Sequence, residues 1–165
     1  MIVAARNVEI SYATKRKKEK IYKLYIKYKV NMASEAVIIE LLGKDGDPIR
    51  MTVSNAATIE KGTILKLSDP RTAAASSADG DKPAGIAAAE KVALDGSTTL
   101  AVYTNGIFDL TEANSATITA GNMVTIGGAN LIKLAAAGES ETGDIIGRAL
   151  EDFAKQEVAA VRVLI

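Results

Sequence analysis

After residue 31 the chain alternates short apolar runs with tight-turn signals, and no long segment keeps the 3.6-residue period of a helix. Residues 37–42 (VIIELL) form a β-branched apolar run, followed by the turn-forming Gly43-Lys44-Asp45-Gly46-Asp47-Pro48. Residues 49–53 set Ile49, Met51 and Val53 against Arg50 and Thr52, the alternation of a half-buried strand. Strand, Asp-Gly turn and strand predict a hairpin with a long loop. Residues 62–67 alternate again. Residues 68–85 (SDPRTAAASSADGDKPAG) are small, polar and broken by Pro and Gly, which predicts a long surface loop. Residues 86–94 and 98–103 are strand candidates parted by Asp95-Gly96, and Asn105-Gly106 turns into Ile107-Phe108-Asp109-Leu110. Residues 117–126 and 130–134 flank Gly127-Gly128 as a further hairpin; residues 145–153 read as a strand running into one helical turn, and residues 158–165 as a closing strand. The pattern predicts an all-β domain with a minor helix, built as a small barrel or sandwich.

An internal echo sharpens this. Residues 57–67 (ATIEKGTILKL) match residues 116–126 (ATITAGNMVTI) at a constant offset of 59. A weaker echo sets Gly85-Ile86-Ala87, Glu90 and Leu100-Ala101-Val102 beside Gly147-Arg148-Ala149, Glu151 and Ala160-Val161-Arg162-Val163. In each unit a glycine able to take positive φ turns the chain into an alternating strand. Two such units predict a pseudo-twofold barrel made from halves of about 55 residues.

Charge divides the chain differently. The net charge is zero, yet residues 1–31 hold nine basic and two acidic residues, so this stretch carries +7 and the remainder −7. Four of the five Tyr lie in the same stretch, and every Gly and Pro lies after it. Residues 1–31 therefore read as an extension and residues 32–165 as the working β-rich domain. Three readings of the extension stay open: a basic arm for nucleic acid or an acidic lining, an exposed amphipathic helix over residues 15–30, or translated upstream sequence ahead of a start at Met32. Aromatics make up only 4% of the chain, so the core rests on Ala, Val, Ile and Leu and gains from a partner surface.

The chain has no Cys and no His, which removes thiol nucleophiles, imidazole acid–base chemistry and the commonest zinc ligands. It carries neither a phosphate loop nor a dinucleotide fingerprint, and no apolar run is long enough for a membrane span. Asp45-Gly46-Asp47 and Asp79-Gly80-Asp81 lack the further ligands and closing Glu of a calcium loop and read as acidic turns. Ser76-Ser77 has no base beside it, and Asp109, Glu112, Glu139, Glu141 and Asp144 show no spacing that converges on one site. No catalytic residue, metal ligand or cofactor site is expected, so the chain reads as non-enzymatic.

One set of motifs resembles a known family. Ile59-Glu60-Lys61-Gly62-Thr63, Leu67-Ser68-Asp69-Pro70, Pro83-Ala84-Gly85-Ile86-Ala87, Glu90-Lys91-Val92 and the run Ala101 to Leu110 (AVYTNGIFDL) are similar in order and spacing to capsid decoration (cement) proteins of tailed phages and related archaeal viruses. Those proteins are similar in role to the lambda head decoration protein. The resemblance covers roughly residues 36–165. It implies a β-tulip or barrel-like fold and a homotrimer bound outside an expanded capsid. The major capsid protein would be the partner, and the location would be the virion after assembly in the host cytoplasm. It also implies an N-terminal strand that pairs with the shell, for which Val37, Ile38, Ile39, Leu41 and Leu42 are the candidates; an ordinary core strand is the alternative. Ile107, Phe108 and Leu110, with the terminal strand, are candidates for the subunit interface, again with core as the alternative. Rival readings are another virion subunit such as a tail tube or connector, a barrel enzyme using loop carboxylates, and nucleic-acid binding through residues 1–31.

Overall fold

The computed structural model describes residues 35–40, 48–113, 115–139 and 141–165. The expectations placed on residues 1–31, on a start at Met32, on Leu41 and Leu42, and on Asp45-Gly46-Asp47 lie outside them. Eleven strands are described: β1 (Val37–Glu40), β2 (Ile49–Thr52), β3 (Ile64–Asp69), β4 (Thr72–Ala75), β5 (Pro83–Ala87), β6 (Thr99–Tyr103), β7 (Asn105–Glu112), β8 (Met123–Gly128), β9 (Leu131–Leu134), β10 (Ile145–Ala149) and β11 (Val158–Leu164). Among the described residues there is no helix, and the helical turn expected near residue 150 is instead a bend, after which Phe153 bridges back to Ile118.

Strands β2–β6 close a barrel in the order β2-β4-β3-β5-β6. Strands β7–β11 close a second barrel in the order β7-β9-β8-β10-β11, because β9 pairs with β7 as well as with β8. The two orders are the same, strand for strand. Each barrel contains one parallel pair, anchored at Thr52↔Thr72 in the first and Thr111↔Leu131 in the second, and both of these positions shift by 59. The backbone repeats at finer grain. Gly62 and Gly121 take φ of 88° and 90°, Arg71 and Asn130 take 50° and 54°, and Leu94 and Gln156 take 62° and 60°. The echo in the sequence is thus a duplication of the whole fold, and each repeat closes a barrel of its own rather than half of a shared one. Only Thr104 separates β6 from β7, so the barrels join without a linker.

Two sequence expectations fail for one reason. The hairpin between residues 37–42 and 49–53 does not form: β2 has both edges occupied by β4 and β6, and β1 pairs antiparallel with β7. Within residues 68–85, the Ala run becomes β4 and the Pro-Ala-Gly stretch opens β5. A closed barrel needs every edge filled, and that demand overrides weak local propensity.

The cores are separate. Val53, Ile59, Leu65, Leu100 and Val102 fill the first barrel. Phe108, Leu110, Ile126, Ile132, Ile146 and Val161 fill the second. Ile64 and Ile86, an opposed pair on β3 and β5, belong to the second cluster, and Tyr103 on β6 packs against it. The outer face of the first barrel at β3–β5–β6 is therefore the seat of the second barrel. Polar bonds fix that seat: the Ile64 N–H donates to Asn130 Oδ1 (2.9 Å) and the Asn130 N–H to Ser76 Oγ (3.0 Å). Lys133 reaches Asp79 at 2.7 Å, and Lys82 pairs with Asp144.

Candidate assembly surface

The exposed apolar and charged positions among the described residues are the candidate site. Residues 35–40 run across both barrels. The Ala36 N–H donates to the Gly62 carbonyl (2.7 Å) on the first barrel, and β1 then pairs with β7 of the second. At Gly62 an added Cβ would run into the Ala36 carbonyl, so this close crossing needs a glycine there. Strand β1 shares one edge of β7 with β9, end to end, and its own far edge has no partner among the described strands. Alternation turns Ile38 inward against the second core and leaves Val37 and Ile39 outside, 59% and 54% exposed. Of the candidate shell-binding residues, Val37, Ile38 and Ile39 therefore sit on a strand of the fold itself, with Val37 and Ile39 presented to solvent.

The candidate interface residues on β7 divide by the same alternation. Ile107 is half-buried and faces outward with Asp109. Phe108 and Leu110 do not face a partner: they are fully enclosed in the second barrel, 0% and 1% exposed. The run expected as an exposed apolar patch is therefore core at Phe108 and Leu110. It is an ordinary barrel strand whose every second residue is core, and both large apolar residues fall on the inward register. Exposed large apolar side chains elsewhere among the described residues include Val158, Leu164 and Ile165 at the two ends of β11 and Val92 and Leu94 between β5 and β6.

The described carboxylates singled out in the sequence make structural contacts, and Asp79, Glu139 and Asp144 lie near one another around Lys133. Asp81 accepts from the Ser77 and Ala78 N–H groups and from Lys66; burial works against its charge, but these bonds keep its carboxyl below the ordinary value. Lys133 bridges Asp79 and Glu139, and Asp144 is held ionised by Lys82 and the Thr142 hydroxyl. Asp109 is pushed up by burial and by the neighbouring Glu151. Glu112 lies at the inner end of β7. Burial opposes its charge, yet bonds from the Ser115 hydroxyl and from the N–H groups of Gln156, Ser115 and Ala116 hold its pKa at about 2. Ser76 is buried in the seam between the barrels and Ser77 is tied to Asp81. Among the described residues no three acids are grouped to hold a metal ion.

One surface was not anticipated from the sequence. A groove of about 360 Å³ lies across the outside of the second barrel, lined by Met123 of β8, Ile145, Gly147 and Arg148 of β10, and Arg162 and Leu164 of β11. Arg148 and Arg162 are direct cross-strand partners. Like charges in that relation repel, and among the described residues neither has an ion-pair partner. The signal that finds this face is the repeat itself, read at the level of strand register.

Comparison with known proteins gives three results. The model of a family described as phage cement protein matches residues 43–165. No curated protein matches the chain in sequence. Among solved structures, the chain is similar to the head fiber gp8.5 N base of bacteriophage phi29, with 13% identity, 70% of this chain and 91% of that chain covered, and a TM-score of 0.45.

Proposed function

The chain belongs to the phage cement protein family, and from that premise we propose that it binds the outside of an expanded phage capsid, through the major capsid protein, and stabilises the shell against the pressure of packaged DNA. The family match over residues 43–165 carries this reading. The free edge of β1 supports it, because an edge strand with exposed Val37 and Ile39 accepts a further strand through main-chain hydrogen bonds. The action is mechanical: many copies bridge neighbouring capsomers, and their number makes modest affinity per contact sufficient. The protein works as a homotrimer on the virion exterior, without a cofactor and without catalysis. The exposed apolar residues at both ends of β11 support self-association, which covers surface that a monomer leaves wet.

The test is to mix the full chain with undecorated expanded heads and image them by electron cryomicroscopy. Regular external density at symmetric positions is the expected result, and heads left bare at saturating protein refute the proposal. A Val37→Lys, Ile39→Lys variant should keep its β circular dichroism and lose at least about tenfold in head affinity, a loss of about 1.4 kcal/mol.

A further inference from the structure

We infer that the groove on the second barrel is the surface through which copies of this chain meet, head to tail, with the first barrel of a neighbour as its occupant. This deepens the homotrimer reading above and rests on it.

The argument comes from the duplication. On the first barrel Ile64 opposes Ile86, and Ile86 opposes Tyr103. On the second barrel Met123 opposes Arg148, and Arg148 opposes Arg162. The repeat offsets, 59 for β3 and β6 and 62 for β5, turn each member of the first set into the corresponding member of the second. Gly85 becomes Gly147 and Pro83 becomes Ile145 by the same shift. The groove is therefore the counterpart, residue for residue, of the face on which the second barrel is seated within the chain.

One copy of this face is covered and the other is open. Ile64 and Ile86 are fully buried by the adjoining barrel. Met123 is 40% exposed, and Arg148 and Arg162 lie open. Gly62 is crowded by Glu35 and Ala36, whereas its counterpart Gly121 has empty space beyond it. The fold thus ends on a docking face whose established occupant, one barrel earlier, is another barrel of the same kind.

The differences in side chain fit an interface formed after folding. A face covered within the chain carries Ile, Ile and Tyr. A face that meets water until assembly carries Met and two arginines. Two opposed guanidinium groups call for an acid from the partner. In the intrachain seat the β8–β9 turn meets Ile64 through Asn130. Its counterpart in a neighbour is the β3–β4 turn Asp69-Pro70-Arg71. Asp69 is exposed and among the described residues has no ion pair, so it is the countercharge. Head-to-tail contacts of this type close into rings when the rotation allows.

The test uses the full chain, which contains no cysteine. In sedimentation velocity the wild type should associate at tens of micromolar, and Arg148→Glu with Arg162→Glu should weaken association at least tenfold with unchanged circular dichroism. Met123→Lys serves as an independent variant should the double change disturb folding. Under mild oxidation, Arg162→Cys and Asp69→Cys should stay uncross-linked when separate and form dimers when mixed. Arg162→Cys cross-linking to itself overturns the head-to-tail geometry. Wild-type association that neither the double change nor Met123→Lys weakens overturns the face while leaving self-association standing. A wild type that stays monomeric overturns both; head decoration, scored separately, then shows whether the capsid reading survives and whether the arginines serve the shell instead.

Discussion

Glu112 offers the most direct measurement of how the second barrel is held closed. Its carboxylate accepts from the Ser115 N–H (2.7 Å) and hydroxyl (2.6 Å), the Ala116 N–H (3.2 Å) and the Gln156 N–H (3.0 Å). It therefore ties β7 to the loop after it and to the turn before β11. Holding the pKa at about 2 against an ordinary 4.5 corresponds to roughly 3 kcal/mol of preference for the ionised form in the folded chain. Glu112→Gln keeps the shape but replaces one accepting oxygen by a donor facing N–H groups, so the loss at pH 7 should be about 2–3 kcal/mol. The folded pKa is depressed, so this stability is fully present above the unfolded pKa near 4.5 and disappears as pH falls toward about 2. Urea denaturation of both chains, followed by circular dichroism from pH 7 to pH 2, reads the difference. It should hold steady above about pH 5 and shrink toward pH 2. Equal stabilities at pH 7, or a gap that does not change with acid, would refute this role for Glu112.

Phe108→Ala should cost about 3–5 kcal/mol in denaturant titrations, because the ring is fully enclosed in the second core; a variant with unchanged stability but altered oligomeric state would place Phe108 at a partner instead. Gly147→Ala should cost about 1–3 kcal/mol in thermal unfolding, since an added Cβ overlaps the Arg162 carbonyl on β11, and a melt matching the wild type would show that the two strands separate freely there.

Much of the fold was legible because its signals were local. Alternation located β2, β3 and β8, and the Gly127-Gly128 signal placed the β8–β9 hairpin. The offset of 59 foretold the duplication from sequence alone. Pairing was less legible, because edges are filled globally. Nothing in VIIELL distinguishes β2 from β7 as a partner, and the Ala run of β4 has too little side chain to announce a strand. The candidate site suffered from the same gap. Phe108 and Leu110 looked available because a short apolar run does not reveal its inward register until its neighbours β9 and β11 are known. The arginine face was invisible for the opposite reason: Arg148 and Arg162 are 14 residues apart and become neighbours only through the β10–β11 register.

The duplication also explains two buried charges that no pattern flagged. Position 53 is Val in the first barrel and its counterpart is Glu112 in the second; position 91 is Lys in the first and its counterpart is Phe153. Each barrel thus places one charge and one apolar residue beside the same loops. Lys91 donates to the carbonyls of Asn55 (3.1 Å) and Val92 (3.0 Å) and to Asp95, while Glu112 accepts from N–H groups of the equivalent loops. Both satisfy backbone groups that a barrel end would otherwise bury without partners, one from the donor side and one from the acceptor side. The copies therefore kept the requirement and exchanged the residue and the sign that meet it. The outer faces diverged in the same manner, with Ile86 and Tyr103 sealing the chain's own junction and Arg148 and Arg162 taking their places where the surface is open.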